Sequence, residues 1–226
     1  MVSGGKVYIL GGTAAVSQGF EDGVKALGFN VERLKGKDRY GTNLAILEEA
    51  GVDANTEILI ATGNNYADSL SASATGLPML LVNKNLTAEQ KAFLAGTSKD
   101  FAILGGSAAV SEAIENELNA IGTSERVKGK SRYETSIVIA ERYFGTASAI
   151  VLAYGEGFPD GLCGGALATQ IGAALVLTEN TKLAAADAYV EGVKYGYVTG
   201  GTARLTDETV REIFDVDATT EIVVKE

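Results

Sequence analysis

The sequence contains no histidine in 226 residues. That absence removes the commonest general base, the Ser-His-Asp arrangement and the commonest metal ligand, leaving carboxylates as the available acid–base groups. Cys163 is the single cysteine, so no intrachain disulfide and no CxxC or Cys/His metal cluster can form. One thiol in a chain of this length suits an exported bacterial protein, and a cytosolic one nearly as well. Tryptophan is absent and aromatics make up 7% of the residues, which rules out broad aromatic platforms for stacking on sugar rings. No apolar run reaches the roughly 18 residues of a membrane-spanning helix. The start, Met1-Val2-Ser3-Gly4-Gly5, has neither the basic opening nor the cleavage site of a signal peptide, as a mature or excised segment also would not. A formal charge of −10 argues against a general nucleic-acid or anionic-membrane binder, though not against a local basic site.

What is present is repetition. Ile9-Leu10-Gly11-Gly12-Thr13-Ala14-Ala15-Val16-Ser17 recurs as Ile103-Leu104-Gly105-Gly106-Ser107-Ala108-Ala109-Val110-Ser111, and again as Val198-Thr199-Gly200-Gly201-Thr202-Ala203-Arg204-Leu205-Thr206. Arg33-Leu34-Lys35-Gly36-Lys37-Asp38-Arg39-Tyr40-Gly41-Thr42 recurs as Arg126-Val127-Lys128-Gly129-Lys130-Ser131-Arg132-Tyr133-Glu134-Thr135. Gly63-Asn64-Asn65-Tyr66-Ala67-Asp68 returns as Gly155-Glu156-Gly157-Phe158-Pro159-Asp160. A near-constant offset across separate blocks marks a duplicated structural unit. Starting the unit at the Arg-rich block gives a partial copy at 1–32 and units at 33–125 and 126–226. Starting it at the Gly-Gly strand moves the surplus to 197–226.

Within a unit, apolar runs of four or five residues alternate with helical patterns. Val7–Leu10, a stretch through Val31, Glu57–Ala61, Met79–Val82 and Phe101–Leu104 read as buried strands. Ser17 is a candidate N-cap. Phe20, Val24 and Leu27 form one helical face, matched by Ile114, Leu118 and Ile121. Helices are expected from Tyr40 to Ala50 with Gly51 as terminator, from Asp68 to Thr75, and from Thr87 to Ala95. The fold class is α/β: tandem small Rossmann-like, doubly wound units of about four parallel strands, packed directly on each other.

The Gly-Gly turn is neither GxGxxG nor a P-loop, so tight strand-to-helix geometry explains it better than a nucleotide site. Asp68 and Asp160 fit helix N-caps or first-turn acids better than an acid–base pair. Cys163 replaces Ser71 among Gly and Ala and reads as a small buried residue. Of 19 Lys and Arg, eight gather in two short blocks: Arg33, Lys35, Lys37 and Arg39, then Arg126, Lys128, Lys130 and Arg132. Such patches suit phosphate or carboxylate groups, with Tyr40 and Tyr133 beside them to stack or hydrogen-bond. For Arg39 and Arg132 an ion pair between adjacent units is an equal alternative. Met79-Leu80-Leu81-Val82 and Leu175-Val176-Leu177-Thr178 read as equivalent core strands.

In order and spacing these blocks resemble the cell-wall-binding repeat type 2 family of Gram-positive surface proteins, including clostridial S-layer and cell-wall proteins. The resemblance spans essentially the whole chain. It implies Rossmann-like units, usually three in trimer-like packing, that anchor a secreted protein to the wall through an anionic secondary polymer, teichoic-acid-like or polysaccharide, without catalysis or cofactor. The family's Ile-Leu-Leu anchoring motif maps onto Met79, Leu80, Leu81 and onto Leu175, Val176, Leu177. Self-association through repeat interfaces, as in a surface lattice, is a second expectation. A nucleotide-binding or enzymatic Rossmann-like protein is a third, weaker one.

Overall fold

Apolar runs bounded by glycine turns and hydroxyl caps produce alternating strands and helices in a computed structural model describing residues 4–219 and 222–223. In chain order the first elements are β1 (Lys6–Leu10), α1 (Gln18–Ala26) and β2 (Asn30–Leu34). They are followed by α2 (Arg39–Ala50), β3 (Ile58–Thr62), α3 (Ala67–Ser73), β4 (Met79–Val82), α4 (Ala88–Thr97), β5 (Asp100–Leu104), α5 (Glu112–Asn119) and β6 (Thr123–Val127). Then come α6 (Arg132–Phe144), β7 (Ala149–Tyr154), α7 (Phe158–Ile171), β8 (Ala174–Thr178), α8 (Ala184–Tyr189), β9 (Tyr195–Thr199) and α9 (Asp207–Ile213).

The strands pair in parallel throughout, and crossover helices supply the covering layers. Among the described residues they form three sheets, ordered β1-β2, β4-β3-β5-β6 and β8-β7-β9. The Gly-Gly strand β5 therefore closes the sheet of the residues before it, with β6 as the edge. The pair β1-β2 has the same strand–helix–strand order as β5-α5-β6. The third sheet shows three strands among the described residues, where about four are expected.

Hydroxyl caps start the helices where the sequence places them. Ser17, Thr87, Ser111, Ser131 and Thr206 each accept an N–H from the first turn, and Gln90 completes a capping box with Thr87. Helix α2 ends at Gly51 with φ 69°, a value that suits glycine.

Burial follows how many strands lie beneath a helix. Ile114 and Leu118 of α5 are fully buried on the four-stranded sheet. The matching face of α1 is not: Phe20 is exposed and Leu27 is 71% exposed. A two-stranded sheet is too narrow to cover that face, so the expected amphipathic helix forms without burying its apolar side.

The two larger sheets share their cores. Helix α3 lies against α6, α7 and β8. One cluster joins Ala67 and Leu70 of α3, and Ala74 just after it, to Tyr133, Val151, Leu175 and Leu177. A second joins Leu59 and Leu104 to Ile139 of α6. Contact is close because α7 presents glycine there. A Cβ at Gly161 would press on Leu70, and one at Gly165 would overlap the Ser73 hydroxyl. Thr169 Oγ1 also donates to the Ser73 carbonyl at 3.0 Å.

The interface has direction, and that overturns one expectation. Leu70 on α3 is 6% exposed, whereas Leu162, its counterpart on α7, is 59% exposed. Cys163 likewise is exposed, although Ser71 is fully buried. Ser71 lies on the helix that packs against the next unit, whereas α7 makes no comparable contact with a later helix among the described residues.

Candidate functional site

Each recurrent position of the Arg-rich block has a definite task. Arg33 pairs through Nε with Glu21 of α1 at 2.8 Å and donates to the Gly11 carbonyl at 2.8 Å. Arg126 repeats this with Glu115 at 2.6 Å and the Gly105 carbonyl at 2.9 Å. These arginines tie the Gly-Gly turn and its helix to the neighbouring strand. Arg33, with a side chain 9% exposed, is internal rather than ligand-facing, and Arg126 is held in the same way. Both leave the set of direct contacts expected from sequence.

The glycine and threonine of the block form the turn into the helix. Gly36 N–H donates to Thr42 Oγ1 at 2.9 Å, and Gly129 N–H to Thr135 Oγ1 at 3.0 Å. A side chain at Gly36 would run into the Gly41–Thr42 backbone. Asp38 Oδ1 accepts from Tyr40 N and Gly41 N, capping α2.

The Arg-Tyr pair then grips the loop after the central strand. Arg39 donates to the Gly63 carbonyl and Arg132 to the Gly155 carbonyl, each at 2.7 Å. The Tyr40 and Tyr133 rings lie on Gly63 and Gly155 so closely that a Cβ at either glycine would meet the ring. Tyr40 donates to Asn64 Oδ1 at 3.1 Å, and Tyr133 to Glu156 Oε1 at 2.6 Å. Burial and the Glu156 carboxylate push the Tyr133 hydroxyl well above its ordinary pKa.

Arg132 also lies 3.4 Å from Glu156 and faces Tyr66 of the other unit. The Arg132 ion pair is thus within its own unit, and its contact with the other unit is with an aromatic ring. Arg39 remains exposed.

The lysines are what the block leaves over. Lys35, Lys37, Lys128 and Lys130 are exposed, and no ion pair involves them among the described residues. Lys84, which the sequence reading passed over, behaves likewise. It shares with Lys37 a cavity of about 590 Å³ at the starts of α2 and α4, lined also by Tyr40, Asn83 and Asn85. Its position one residue past Asn83, outside any repeat block, gave no signal in sequence.

The strand motif is placed differently. Leu80, Leu175, Val176 and Leu177 are buried, and Met79 and Leu81 are half-buried. Leu175 and Leu177 face α3, so they pack one unit on the next and cannot touch a ligand. Met79 and Leu81 occupy the equivalent strand of the preceding unit, which no helix of an earlier unit covers among the described residues.

Asp68 and Asp160 are first-turn acids, as expected, but neither caps its helix: the N-cap positions of α3 and α7 are Tyr66 and Gly157, both without a side-chain cap bond. Their carboxylates instead crowd Gly105 and Gly200, where a Cβ would strike them. Burial raises the Asp68 pKa, partly opposed by Arg132.

Comparison with known proteins agrees with this architecture. The cell wall binding domain 2 (CWB2) family model matches residues 33–115 and 126–210. The chain is 28% identical over 194 residues to N-acetylmuramoyl-L-alanine amidase LytC of Bacillus subtilis (strain 168), covering 83% of this chain and 38% of that protein. It is 26% identical over 216 residues to the Amidase enhancer of the same strain, covering 92% of this chain and 30% of that protein. Among solved structures, Cwp8 from Clostridium difficile superposes with a TM-score of 0.81 at 25% identity, over 96% of this chain and 39% of the other. Cwp6 from the same organism gives 0.82 at 25% identity, over 92% and 35%. The chain thus spans well under half of each of these relatives. With the family model matching both repeats, the chain belongs to the cell wall binding domain 2 family.

Proposed function

We propose that this chain is a non-catalytic anchor that holds a secreted protein on a Gram-positive cell surface by binding an anionic secondary wall polymer. The observation that carries this reading is the contrast between an overall charge of −10 and exposed lysines without ion pairs beside each Arg-Tyr grip. Such a surface stays soluble while gripping a polyanion locally, and two patches on one chain raise effective concentration along a repetitive ligand. The Bacillus subtilis relatives are named for amidase work, and the chain matches 38% and 30% of their lengths. We assign the shared part to wall attachment: the chain has no histidine, and Asp68 and Asp160 are packed against glycine turns. The test is co-sedimentation with Gram-positive walls before and after acid extraction of the anionic polymer. Binding lost on extraction is expected; equal binding to stripped walls sinks the reading.

A second reading, self-association through the repeat interface, is favoured by one observation. The α7 face bearing Phe158 and Leu162 is exposed, while its α3 counterpart is buried against the next unit. Light scattering over a concentration range separates the two: a mass independent of concentration speaks against self-association.

A further inference from the structure

The two complete units present different chemistry at the same place. Gly63 N–H bonds the Val82 carbonyl and Gly155 N–H the Thr178 carbonyl, each at 2.9 Å. The residues just beyond these bonds are therefore equivalent: Asn64 with Glu156, and Asn83 with Glu179. In the first unit both positions are neutral amides. Tyr40 donates to Asn64, and Asn64 Nδ2 donates to Asn83 Oδ1 at 3.2 Å. In the second unit both positions are carboxylates, and each is engaged. Glu156 takes Tyr133 and Arg132. Glu179 takes Lys182 at 2.9 Å, and the Lys182 ammonium lies 5.3 Å from the Tyr133 ring centroid.

The first unit has a cavity beside this neutral pair, whereas the second unit places two carboxylates at the same corner. The first-unit cavity, about 590 Å³, falls within the roughly 300–1,000 Å³ of small-ligand sites. Its two acids sit at helix starts: Asp38 caps α2, and Glu89 lies in the first turn of α4, where its own N–H and the Thr87 hydroxyl lower its pKa. Its two ammonium groups, Lys37 and Lys84, have no carboxylate in ion-pair range among the described residues. The Asn85 side chain and the Asn83 amide nitrogen make no hydrogen bond among the described residues. Two free cations with amide groups between them match an anionic group carried on a hydroxyl-rich ring.

We propose that the cavity between Lys37 and Lys84 seats one acidic sugar of the polymer, a phosphate- or carboxylate-bearing saccharide, and that the second unit has lost this seat to the Glu156–Tyr133 and Glu179–Lys182 contacts. This rests on the wall-polymer reading above. The repeats are then unequal partners: both present exposed lysines, and the first adds a seat for one sugar.

The test uses the whole chain in wall co-sedimentation, with unfolding curves to confirm that each variant folds. Lys37→Glu with Lys84→Glu is expected to weaken wall binding about tenfold or more, the loss of one or two charge-assisted hydrogen bonds. Lys128→Glu with Lys130→Glu, which removes patch charge without touching the seat, is expected to weaken it by a smaller factor, about threefold. Asn64→Glu with Asn83→Glu, which installs the second unit's carboxylates, should weaken binding like the first pair. Competition with soluble polyglycerol phosphate or polygalacturonate then identifies the charged group as phosphate or carboxylate. If the wild-type chain ignores the polymer, the anchoring reading itself fails. If the wild type binds but both lysine pairs matter equally, or only Lys128 and Lys130 matter, the asymmetric site is wrong while anchoring survives. Competition by neither probe overturns the acidic-sugar assignment.

Discussion

The Arg132 guanidinium lies 5.9 Å from the ring centroid of Tyr66, a residue of the neighbouring unit, while donating to the Gly155 carbonyl at 2.7 Å. Arg39 makes the same carbonyl bond in its own unit, with no facing ring among the described residues. Arg132→Ala is therefore expected to lower the unfolding free energy by about 1–3 kcal/mol, combining a charged hydrogen bond with a cation–π contact. Arg39→Ala should cost clearly less. Urea unfolding of the two variants checks the difference; equal losses would remove the inter-unit role.

Glycines in helices should divide by what surrounds them. Gly165→Ala drives a methyl into Ser73 across the unit boundary, and is expected to destabilise by about 1–3 kcal/mol despite better helix propensity. Gly96→Ala, in α4 with open space around it, should stabilise by up to about 1 kcal/mol. Opposite signs in thermal melts are the expected result.

Thiol chemistry reads the same polarity. Cys163 is exposed and Ser71 is buried at the equivalent position. Native protein should react stoichiometrically with a maleimide at Cys163. A chain carrying Cys163→Ser and Ser71→Cys should react only on unfolding; rapid native labelling of that chain would mean that α3 separates from α7.

Acid should act on the ion-paired edge first. Lys25 and then Arg33 hold the Glu21 carboxyl down at about 2, against an ordinary value of 4.5. A depressed folded pKa makes its contribution complete above the ordinary value and loses it as pH falls towards about 2. Asp68 runs the other way: burial raises its pKa above 3.8, so its contribution is full at low pH and is lost as pH rises through the folded value. Glu21→Gln should flatten the acid limb of a stability–pH curve below about pH 4.5. Asp68→Asn should gain more stability near neutrality than near pH 3, since it removes the cost of burying a charge. An acid limb unchanged by Glu21→Gln would count against the pairing with Lys25 and Arg33.

Local chemistry was legible in the sequence, and neighbourhood was not. The strand Met79–Val82, the cap Ser17 and the stop at Gly51 follow from an apolar run, hydroxyl placement and glycine's tolerance of positive φ. The exposure of Cys163, Phe20 and Leu27 depends on which unit or strand lies next to them, and a repeat pattern assigns equivalent residues the same surroundings. The lysines and arginines of one block also look alike in sequence. Only the positions of Glu21, Glu115 and the glycine carbonyls separate the structural Arg33 and Arg126 from the free Lys37. Lys84 and the Asn64/Glu156 contrast lie where the repeats diverge, so alignment of the copies draws attention away from them.

The core shared between α3, α6, α7 and β8 bears on mechanical load. A tether under tension normally yields one module at a time, each releasing its own length of chain. Here, opening either large sheet exposes apolar surface that the other one covers, so the two should give way together. The expected pulling trace is one high-force event with a single long extension, in place of two weaker, shorter ones.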